Sequence, residues 1–383
     1  MDNFFQNLEH LYIHWPFCPY KCHFCDFVAL ASHEHFIEQY HYALKKEIKR
    51  FKNSFSQSSP LKTIYFGGGT PSTYPPHLLL DMFAILKELF LFDEHTEITF
   101  EVNPGTVTEE ALKMWKQVGI NRLSIGVQSL KDQVLQDLNR HQKATDVYAL
   151  LHDVEKDFKN VSVDFILGLP GVSVEEWKAM ILDAMQWPIN HISIYFLMIQ
   201  ENTPLYFKVK AHKVQLPADD EVVDLYEWLV KVLESYGFAR YELSNFAKPG
   251  FESRHNQAYW DRKPYAAFGL GACAFNGKIR TQNEKNLGKY IDQAEQNLSV
   301  IYESEEIDNH KIVEEKIMLG LRQKKGVNIT DIMLHFSADK QKQFLENIRM
   351  LESQQLIEQK NGIIFLTARG YALENEVAVR LFV

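Results

Sequence analysis

Residues 11–26 read LYIHWPFCPYKCHFCD, and this stretch places Cys18, Cys22 and Cys25 in one short loop. Their spacing is C-x3-C-x2-C, directly after a short β-prone run. Thiolates are soft ligands that suit iron–sulfur clusters, so three of them can hold three irons of a [4Fe–4S] cube. No fourth cysteine follows in the loop. One iron would therefore keep an open position for an exchangeable ligand.

Three clustered cysteines also fit a zinc site, a redox dithiol or buried residues without a ligand. Structural zinc takes four protein ligands, and no second C-x2-C or His pair accompanies the loop. Aromatic residues would shield a cluster from water, and they are Trp15, Phe17, Tyr20 and Phe24. We therefore expect the cysteine loop to bind a [4Fe–4S] cluster.

Length, charge and composition restrict the class of protein. The 383 residues exceed one ordinary domain, and 46% hydrophobic with 24% charged residues is ordinary globular composition. The net charge of −9 argues against a nucleic-acid or acidic-membrane surface, so no nucleic-acid partner is expected. The few cysteines, the lack of a signal-peptide core near the start and the lack of an apolar run of ~18 residues predict a soluble, cytoplasmic protein.

Short β-like runs alternate with amphipathic helical patterns through the first half of the chain. This alternation predicts parallel strands joined by right-handed crossovers, and hence an α/β fold. Residues that carry chemistry then belong at the C-terminal ends of the strands. The predicted strands are residues 11–14, 63–66, 97–102, 122–127, 161–167 and 191–197, and the predicted helices are residues 35–51, 77–90, 109–118, 146–158 and 174–186.

The second half of the chain has a different pattern and predicts two further units. A helix at 221–236 and an aromatic, turn-rich stretch at 238–279 would close the open side of the sheet. From residue 307, three helices, a hairpin around Asn361-Gly362 and a last helix are typical of a winged-helix-like α+β domain. Acidic residues lie among the lysines of this predicted domain, and they favour a structural or partner-docking role over DNA binding. The predicted domains are residues 1–205, 206–300 and 301–383.

A glycine-rich segment follows the second predicted strand. Residues 67–71 read GGGTP, and a glycine run lets backbone approach a ligand closely. A tight turn or a phosphate loop would give a similar pattern, but no Lys follows in P-loop spacing. We therefore expect Gly68, Gly69 and Thr70 to contribute to a ligand site.

The cysteine spacing and the GGGTP segment together resemble the radical-SAM superfamily. The resemblance implies a partial (β/α)6 barrel, with the amino and carboxylate groups of S-adenosylmethionine (SAM) on the open iron. It also implies that the glycine-rich segment contacts the methionyl amine of SAM. Tyr12, six residues before Cys18, resembles another family contact to SAM.

Four further residues match family positions that hold the cofactor, and they are Glu101, Gln128, Arg140 and Asp164. The Glu101 carboxylate suits ribose hydroxyls, and the planar donor fork of Arg140 suits a carboxylate. Asp164 stands within an apolar strand, where an unpaired charge is unfavourable. Each residue alone also fits a structural hydrogen bond or ion pair. As a set on successive strands, they favour one shared ligand.

The resemblance narrows to the coproporphyrinogen-oxidase-like family and covers nearly the whole chain. The segments that carry it are YIHWPFC at 12–18, GVQS at 126–129 and DFILGLPG at 164–171. The oxygen-independent coproporphyrinogen dehydrogenases of this family carry a further cysteine two residues after the third cluster cysteine, and a longer N-terminal arm. Here that position is Phe27, and 17 residues precede Cys18. Both departures favour the haem-chaperone group of the family.

That group carries a His-Asn-x-x-Tyr-Trp motif, and residues 255–260 match it as HNQAYW. A neutral imidazole is a suitable axial ligand for haem iron, so the resemblance makes His255 the expected haem ligand. A packed aromatic turn with a hydrogen-bonded histidine is the structural alternative. Cys273 is expected to be a small buried residue without a ligand role.

Two functions therefore remain open. The first is a haem chaperone that holds a [4Fe–4S] cluster and SAM, binds haem and transfers it to an unknown acceptor protein, with peripheral contact to a membrane-bound acceptor left open. The second is a radical-SAM enzyme such as the coproporphyrinogen dehydrogenase. The missing cysteine favours the first, and the intact SAM set leaves room for the second. The sequence does not give the oligomeric state.

Overall fold

In the computed structural model, which describes residues 4–383, six parallel strands form the centre of the molecule. Each predicted strand is present, with ends within two residues of the predicted ones. The α/β prediction of a partial (β/α)6 barrel is therefore confirmed. The strands, in chain order and in order across the sheet, are β1 (His10–Trp15), β2 (Thr63–Gly68), β3 (Glu97–Val102), β4 (Arg122–Gln128), β5 (Asn160–Leu167) and β6 (His191–Phe196).

Side chains alternate strictly along these strands. In β1, Leu11, Ile13 and Trp15 are fully buried in the main hydrophobic core. The intervening side chains are polar and hydrogen-bond across the sheet, as in the 2.9 Å contact between His10 Nδ1 and Thr63 Oγ1. The sheet therefore packs an apolar face against its helices and curls around a polar interior.

Helices connect the strands at the predicted places. They span Ile37–Phe51, Pro76–Leu89, Glu109–Val118, Ala144–Val154 and Val174–Ala184. Thr108 and Ser173 cap the third and fifth of these helices, and each side chain accepts a backbone N–H from the first turn. The short helices Asp132–Asp137 and Pro204–Lys210 are not predicted, because one or two turns leave too little apolar periodicity to recognise.

The segment after β6 adds strands to both edges of the sheet. β7 (Ala239–Arg240) and β8 (Asn245–Ala247) extend it antiparallel beside β6, and β9 (Ala266–Phe268) pairs parallel with β1. Helix Asp219–Ser235 precedes them. Between β8 and β9, helix Arg254–Trp260 covers the N-terminal end of the barrel, because the Arg254 and His255 amides donate to Glu97, the first residue of β3.

A separate antiparallel sheet follows and consists of Cys273–Phe275, Ile279–Asn283 and Ile301–Glu306, with helix Leu287–Glu295 between its last two strands. This sheet continues past residue 300, where the sequence places a domain boundary. Two further short strands, Phe17–Cys18 and Leu30–Ala31, pair in parallel beside the cysteine loop. Among residues 4–383, no helix has the length and apolar character needed to span a bilayer.

The C-terminal segment has its own hydrophobic core and the predicted winged-helix-like arrangement. Asn361 and Gly362 both have positive φ, 52° and 74°, as a two-residue hairpin turn requires. The predicted last helix is divided in two. The elements are helices Asn309–Arg322, Ile329–Met333, Ala338–Ser353, Ala368–Ala372 and Glu374–Leu381, and strands Val327–Asn328, Ile357–Lys360 and Ile363–Leu366.

A single carboxylate joins the first barrel helix to the segment beyond β9. Glu47 accepts hydrogen bonds from Tyr290 Oη at 2.5 Å, Asn283 Nδ2 at 2.7 Å and the Gly269 amide at 2.9 Å. Burial raises the pKa of Glu47 to about 7, against 4.5 for an ordinary Glu. The folded protein therefore keeps a proton on Glu47 at a pH where the unfolded chain has lost it.

We expect this proton to make stability depend on pH. The contribution is fully present below pH 4.5 and is lost as the pH rises through about 7. The loss occurs because, between these two pH values, the unfolded chain is ionised at Glu47 while the folded protein still holds the proton. In the wild-type protein, the free energy of unfolding should fall by on the order of 1–3 kcal/mol as the pH rises from 4.5 to about 7. Glutamine does not titrate, so Glu47→Gln should not show this fall. Denaturant unfolding at several pH values measures it. The exposed Glu88→Gln is the control. An unchanged pH slope in Glu47→Gln would contradict the prediction.

Candidate functional site

A cavity of ≈ 350 Å³ opens at the C-terminal ends of the barrel strands, where the sequence analysis expects the chemistry. Ten of the twelve predicted site residues line it, while Tyr12 and His255 do not. The fold thus brings together side chains that lie up to 146 residues apart, from Cys18 to Asp164. The ten are Cys18, Cys22, Cys25, Gly68, Gly69, Thr70, Glu101, Gln128, Arg140 and Asp164.

Two neighbours place hydrogen-bond donors on the cysteine sulfurs. Thr70 Oγ1 donates to Cys18 Sγ at 3.2 Å, and Arg140 Nη1 donates to Cys22 Sγ at 3.8 Å. Burial raises the pKa of Cys18 to about 11 and also raises the pKa of Cys25. Since metal binding deprotonates a ligand thiol, such donors would stabilise the thiolates of a bound cluster.

The cavity offers three cysteine thiols as candidate metal ligands. Among residues 4–383, no three His, Cys, Asp or Glu side chains converge on one metal-ion position. A zinc ion draws its thiolates to about 2.3 Å, whereas a cluster binds each thiolate through a different iron. The three cysteines nevertheless line one cavity, and none of them is in a disulfide. The donor set therefore fits a [4Fe–4S] cluster.

The glycines of the GGGTP segment are required by the packing of the protein itself. A Cβ on Gly69 would lie 2.5 Å from the Pro16 carbonyl oxygen, and one on Gly68 would lie 2.5 Å from the His14 ring. Gly68 also has a φ of +116°, which favours glycine. Close approach of a ligand is not needed to explain these glycines, because contact with His14 and Pro16 already requires that they have no side chain.

Two carboxylates lie inside the barrel below the cysteines. Glu101 accepts hydrogen bonds from Tyr65 Oη at 2.8 Å and from the Gly68 amide at 3.1 Å, and burial raises its pKa to about 7. Asp164 accepts from Ser124 Oγ at 2.9 Å, and burial likewise raises its pKa. Both carboxylates face the cavity and are held by neutral hydroxyl donors. Such groups can accept further hydrogen bonds from a polar ligand.

Arg140 and Gln128 line the cavity beside Gly126. Arg140 Nη2 donates to the Gly126 carbonyl at 2.5 Å and its Nε donates to Gln142 Oε1 at 2.9 Å, so the guanidinium is fixed in place. Gln128 has a φ of +64° at the end of β4, where the pairing with β5 shifts register. This backbone conformation is uncommon for a residue with a side chain. Such conformations often occur at functional sites, and the Gln128 side chain lines the cavity.

Tyr12 lies behind the cavity wall. Its ring stacks on Tyr65, with ring centroids 6.1 Å apart, and its hydroxyl lies 3.0 Å from His14 Nδ1. Tyr12 is not among the residues that line the cavity. Contact between Tyr12 and SAM stays a prediction from the resemblance.

His255, which the resemblance makes the expected haem ligand, is buried and hydrogen-bonded. It lies in helix Arg254–Trp260 and is 1% exposed. Its Nδ1 lies 2.6 Å from Thr63 Oγ1 and its Nε2 lies 2.9 Å from Tyr259 Oη, so both nitrogens are engaged. Burial holds its pKa well below 6.5. A haem iron cannot reach this ring without local opening of the barrel floor.

The His255 ring instead supports the cavity from below. Tyr65 stacks on it with ring centroids 5.0 Å apart, and the Tyr65 hydroxyl donates to Glu101. The alternative of a packed, hydrogen-bonded histidine therefore describes the geometry. The HNQAYW motif forms part of the barrel floor.

We expect His255→Ala to lower the free energy of unfolding by roughly 1–3 kcal/mol, because Thr63 and Tyr259 lose a buried partner. SAM binding should also weaken, since Tyr65 would lose the surface that orients it toward Glu101. Denaturant unfolding and calorimetric titration with SAM measure the two effects. The exposed His95→Ala is the control, and wild-type stability in His255→Ala would contradict the prediction.

The sequence analysis missed several residues of the cavity, including Tyr65, Ser124, Tyr195 and Met198. Tyr65, Ser124 and Tyr195 face inward from barrel strands. Each lies two or four residues along its strand from another inward-facing polar residue: Tyr65 from Thr63, Ser124 from Gln128, and Tyr195 from Ser193. Period-two alternation could therefore have revealed them. Met198 lies beyond β6 and carried no pattern.

Replacing Cys18, Cys22 or Cys25 by Ala should abolish the broad visible absorption of the anaerobically reconstituted cluster, because each thiolate would bind one iron. Cys273→Ala is the matched control: its Sγ accepts from Gln282 Nε2 at 3.2 Å and does not line the cavity. Iron analysis and absorption spectra give the measurement. Full iron content in Cys22→Ala would exclude this ligand set.

Comparison with known proteins finds two matching domain models and a similar solved structure. The chain matches the Radical SAM superfamily model over residues 12–184 and the HemN C-terminal domain model over residues 307–373. Coproporphyrinogen III oxidase (HemN) from Escherichia coli, described as a radical SAM enzyme, has the same fold, with a TM-score of 0.85 at 23% identity over 98% of this chain and 90% of that chain.

Two proteins of similar sequence are both named heme chaperone HemW. The chain is 32% identical to the heme chaperone HemW of Bacillus subtilis (strain 168), over 97% of this chain and 98% of the relative. It is 31% identical to the heme chaperone HemW of Lactococcus lactis subsp. lactis (strain IL1403), over 96% of this chain and 95% of the relative. With the cysteine loop and the barrel in place, these similarities show that the chain belongs to the HemW family of radical-SAM proteins.

Proposed function

We propose that the protein is a haem chaperone, which binds haem and transfers it to an acceptor protein while carrying a [4Fe–4S] cluster and SAM in the barrel cavity. The observation that carries the proposal is the match to heme chaperones over nearly the whole of both chains. The cavity supports it, because ten residues predicted for a cluster and for SAM line it.

The residues of the cavity have separate roles under this proposal. The three cysteines would hold the cluster, with Thr70 and Arg140 donating to the sulfurs. Glu101 would accept from ribose hydroxyls, and Gln128 and Asp164 would contact other polar parts of SAM. A cluster with SAM supplies one-electron chemistry when bound. The chain itself orients the ligand and encloses its polar groups.

A coproporphyrinogen dehydrogenase is the second candidate, because the complete polar set in the cavity suits an enzyme as well as a binding protein. Against it, the position where that group carries a further cysteine is Phe27, whose side chain is 66% exposed at the cavity edge. A phenyl ring there supplies neither a proton nor a metal ligand. We therefore favour the chaperone.

Anaerobic, cluster-reconstituted protein should bind haem and give a defined Soret band. With coproporphyrinogen, SAM and a reductant it should form no protoporphyrinogen, because the cysteine that the dehydrogenases carry at this position is replaced by Phe27. Absorption titration and product analysis measure the two outcomes. Turnover would replace the chaperone proposal by the dehydrogenase, and the lack of both haem binding and turnover would reject both functions.

A further inference from the structure

Serine hydroxyls hold the Asp164 carboxylate, and one of these serines lies below the cavity. Asp164 Oδ2 accepts from Ser124 Oγ at 2.9 Å, and Oδ1 accepts from Ser162 Oγ at 3.3 Å. Ser162 is fully buried and is not among the residues that line the cavity. It therefore acts on a ligand only through Asp164, and the direction of its hydroxyl proton determines whether Asp164 receives the second hydrogen bond.

A buried histidine contacts this serine. His191, the first residue of β6, lies directly opposite Ser162 of β5 in the sheet register and is fully buried. Its Nδ1 lies 2.7 Å from Ser162 Oγ, and its Nε2 lies 2.7 Å from Tyr241 Oη. Burial, together with the charge of Arg122, holds the pKa of His191 well below 6.5. The ring is therefore neutral and carries a single N–H.

The partners of His191 determine which nitrogen carries this proton. The Ser253 amide can only donate, and it lies 3.3 Å from Tyr241 Oη, so this oxygen accepts. At the other end, the ionised Asp164 carboxylate can only accept, so it takes the one hydroxyl proton of Ser162. Ser162 Oγ then accepts from His191 Nδ1–H, and the bare Nε2 accepts from the Tyr241 hydroxyl. All four hydrogen bonds thus run in one direction, from the barrel floor to the cavity.

The far end of this hydrogen-bonded chain is fixed by the backbone. The Tyr241 amide donates to the Asn245 carbonyl at 3.1 Å, and the Lys324 amide of the C-terminal segment donates to the Tyr241 carbonyl at 3.0 Å. Tyr241 is therefore held in place from two sides. Its hydroxyl keeps the His191 ring in one orientation, with Nδ1 directed toward Ser162.

We propose that His191 is a positioning residue for SAM: through Ser162 it directs a hydrogen bond onto Asp164 and so fixes the carboxylate that SAM would contact. This inference rests on the proposed function, which assigns the cavity to SAM and the cluster. His191 would itself touch neither group, since it does not line the cavity. The ring transfers no proton and supplies orientation alone.

The two hydrogen bonds of His191 have different consequences under this proposal. A histidine that only stabilises the barrel would need both bonds equally. A positioning residue needs the Nδ1 bond to Ser162 for SAM binding and needs the Nε2 bond to Tyr241 only for stability. Two substitutions separate them, because the amide of Asn places a donor near the Nδ1 position, whereas the longer Gln places its amide near the Nε2 position.

Calorimetric titration of the full-length, cluster-reconstituted protein with SAM tests this separation. His191→Gln should weaken SAM binding roughly twofold to tenfold, as expected for one lost hydrogen bond. His191→Asn should restore SAM binding, because it keeps a donor to Ser162. Denaturant unfolding should show a similar loss of stability in both variants, since each leaves one buried partner unsatisfied. The exposed His152→Gln is the control for SAM affinity, stability and iron content.

A double-mutant cycle shows whether His191 acts through Ser162. Ser162→Ala should weaken SAM binding by a factor similar to that of His191→Gln, and the two substitutions together should weaken it no further. Equal SAM affinity in the Asn and Gln variants, wild-type affinity in Ser162→Ala, or additive effects in the double variant would overturn the proposal while leaving the SAM assignment standing. Failure of the wild-type protein to bind SAM would instead reject that assignment, and the role of His191 with it.

Discussion

Direct backbone contact between the glycine-rich loop and the start of the cysteine loop holds the candidate site together. The Gly69 amide donates to the Trp15 carbonyl at 2.7 Å, and the Thr70 amide donates to the Phe17 carbonyl at 3.0 Å. With no side chain at Gly69, the two segments approach closely enough for the Thr70 hydroxyl to reach Cys18. The parallel pairing of β1 and β2 thus extends into the site, and these backbone hydrogen bonds hold the cysteine loop against the glycine-rich loop.

The central sheet and many polar residues of the cavity were predictable, because the strands alternate regularly and the cysteines and glycines are closely spaced in the sequence. Each barrel strand shows a short β-prone run of the right length, and predicted site residues such as Glu101 and Gln128 stand at or near the C-terminal ends of their strands. The cysteine spacing adds a local signal that does not depend on the fold. Parallel topology then brings the separate strand ends to one place without further information from the sequence.

The environment of individual side chains was not predictable to the same degree. His255 belongs to a motif whose resemblance suggests a ligand, but its burial depends on Thr63 and Tyr259, and only the folded chain shows that both ring nitrogens are occupied. The polar barrel interior poses the same difficulty. Strand alternation gives the inward residues, whereas hydrogen bonding decides which of them are structural and which remain available to a ligand.

The strand Ile301–Glu306 forms the open edge of its sheet, and this edge has a consequence for self-association. An unpaired strand edge is a template for pairing with another molecule. Here the edge residues IYESEE are largely exposed and include three carboxylates, of which Glu305 and Glu306 pair with Lys311 and Lys278. Bringing two such edges together would place acidic side chains against one another. The sequence of this strand therefore opposes edge-to-edge aggregation at the point where the chain passes into its C-terminal domain.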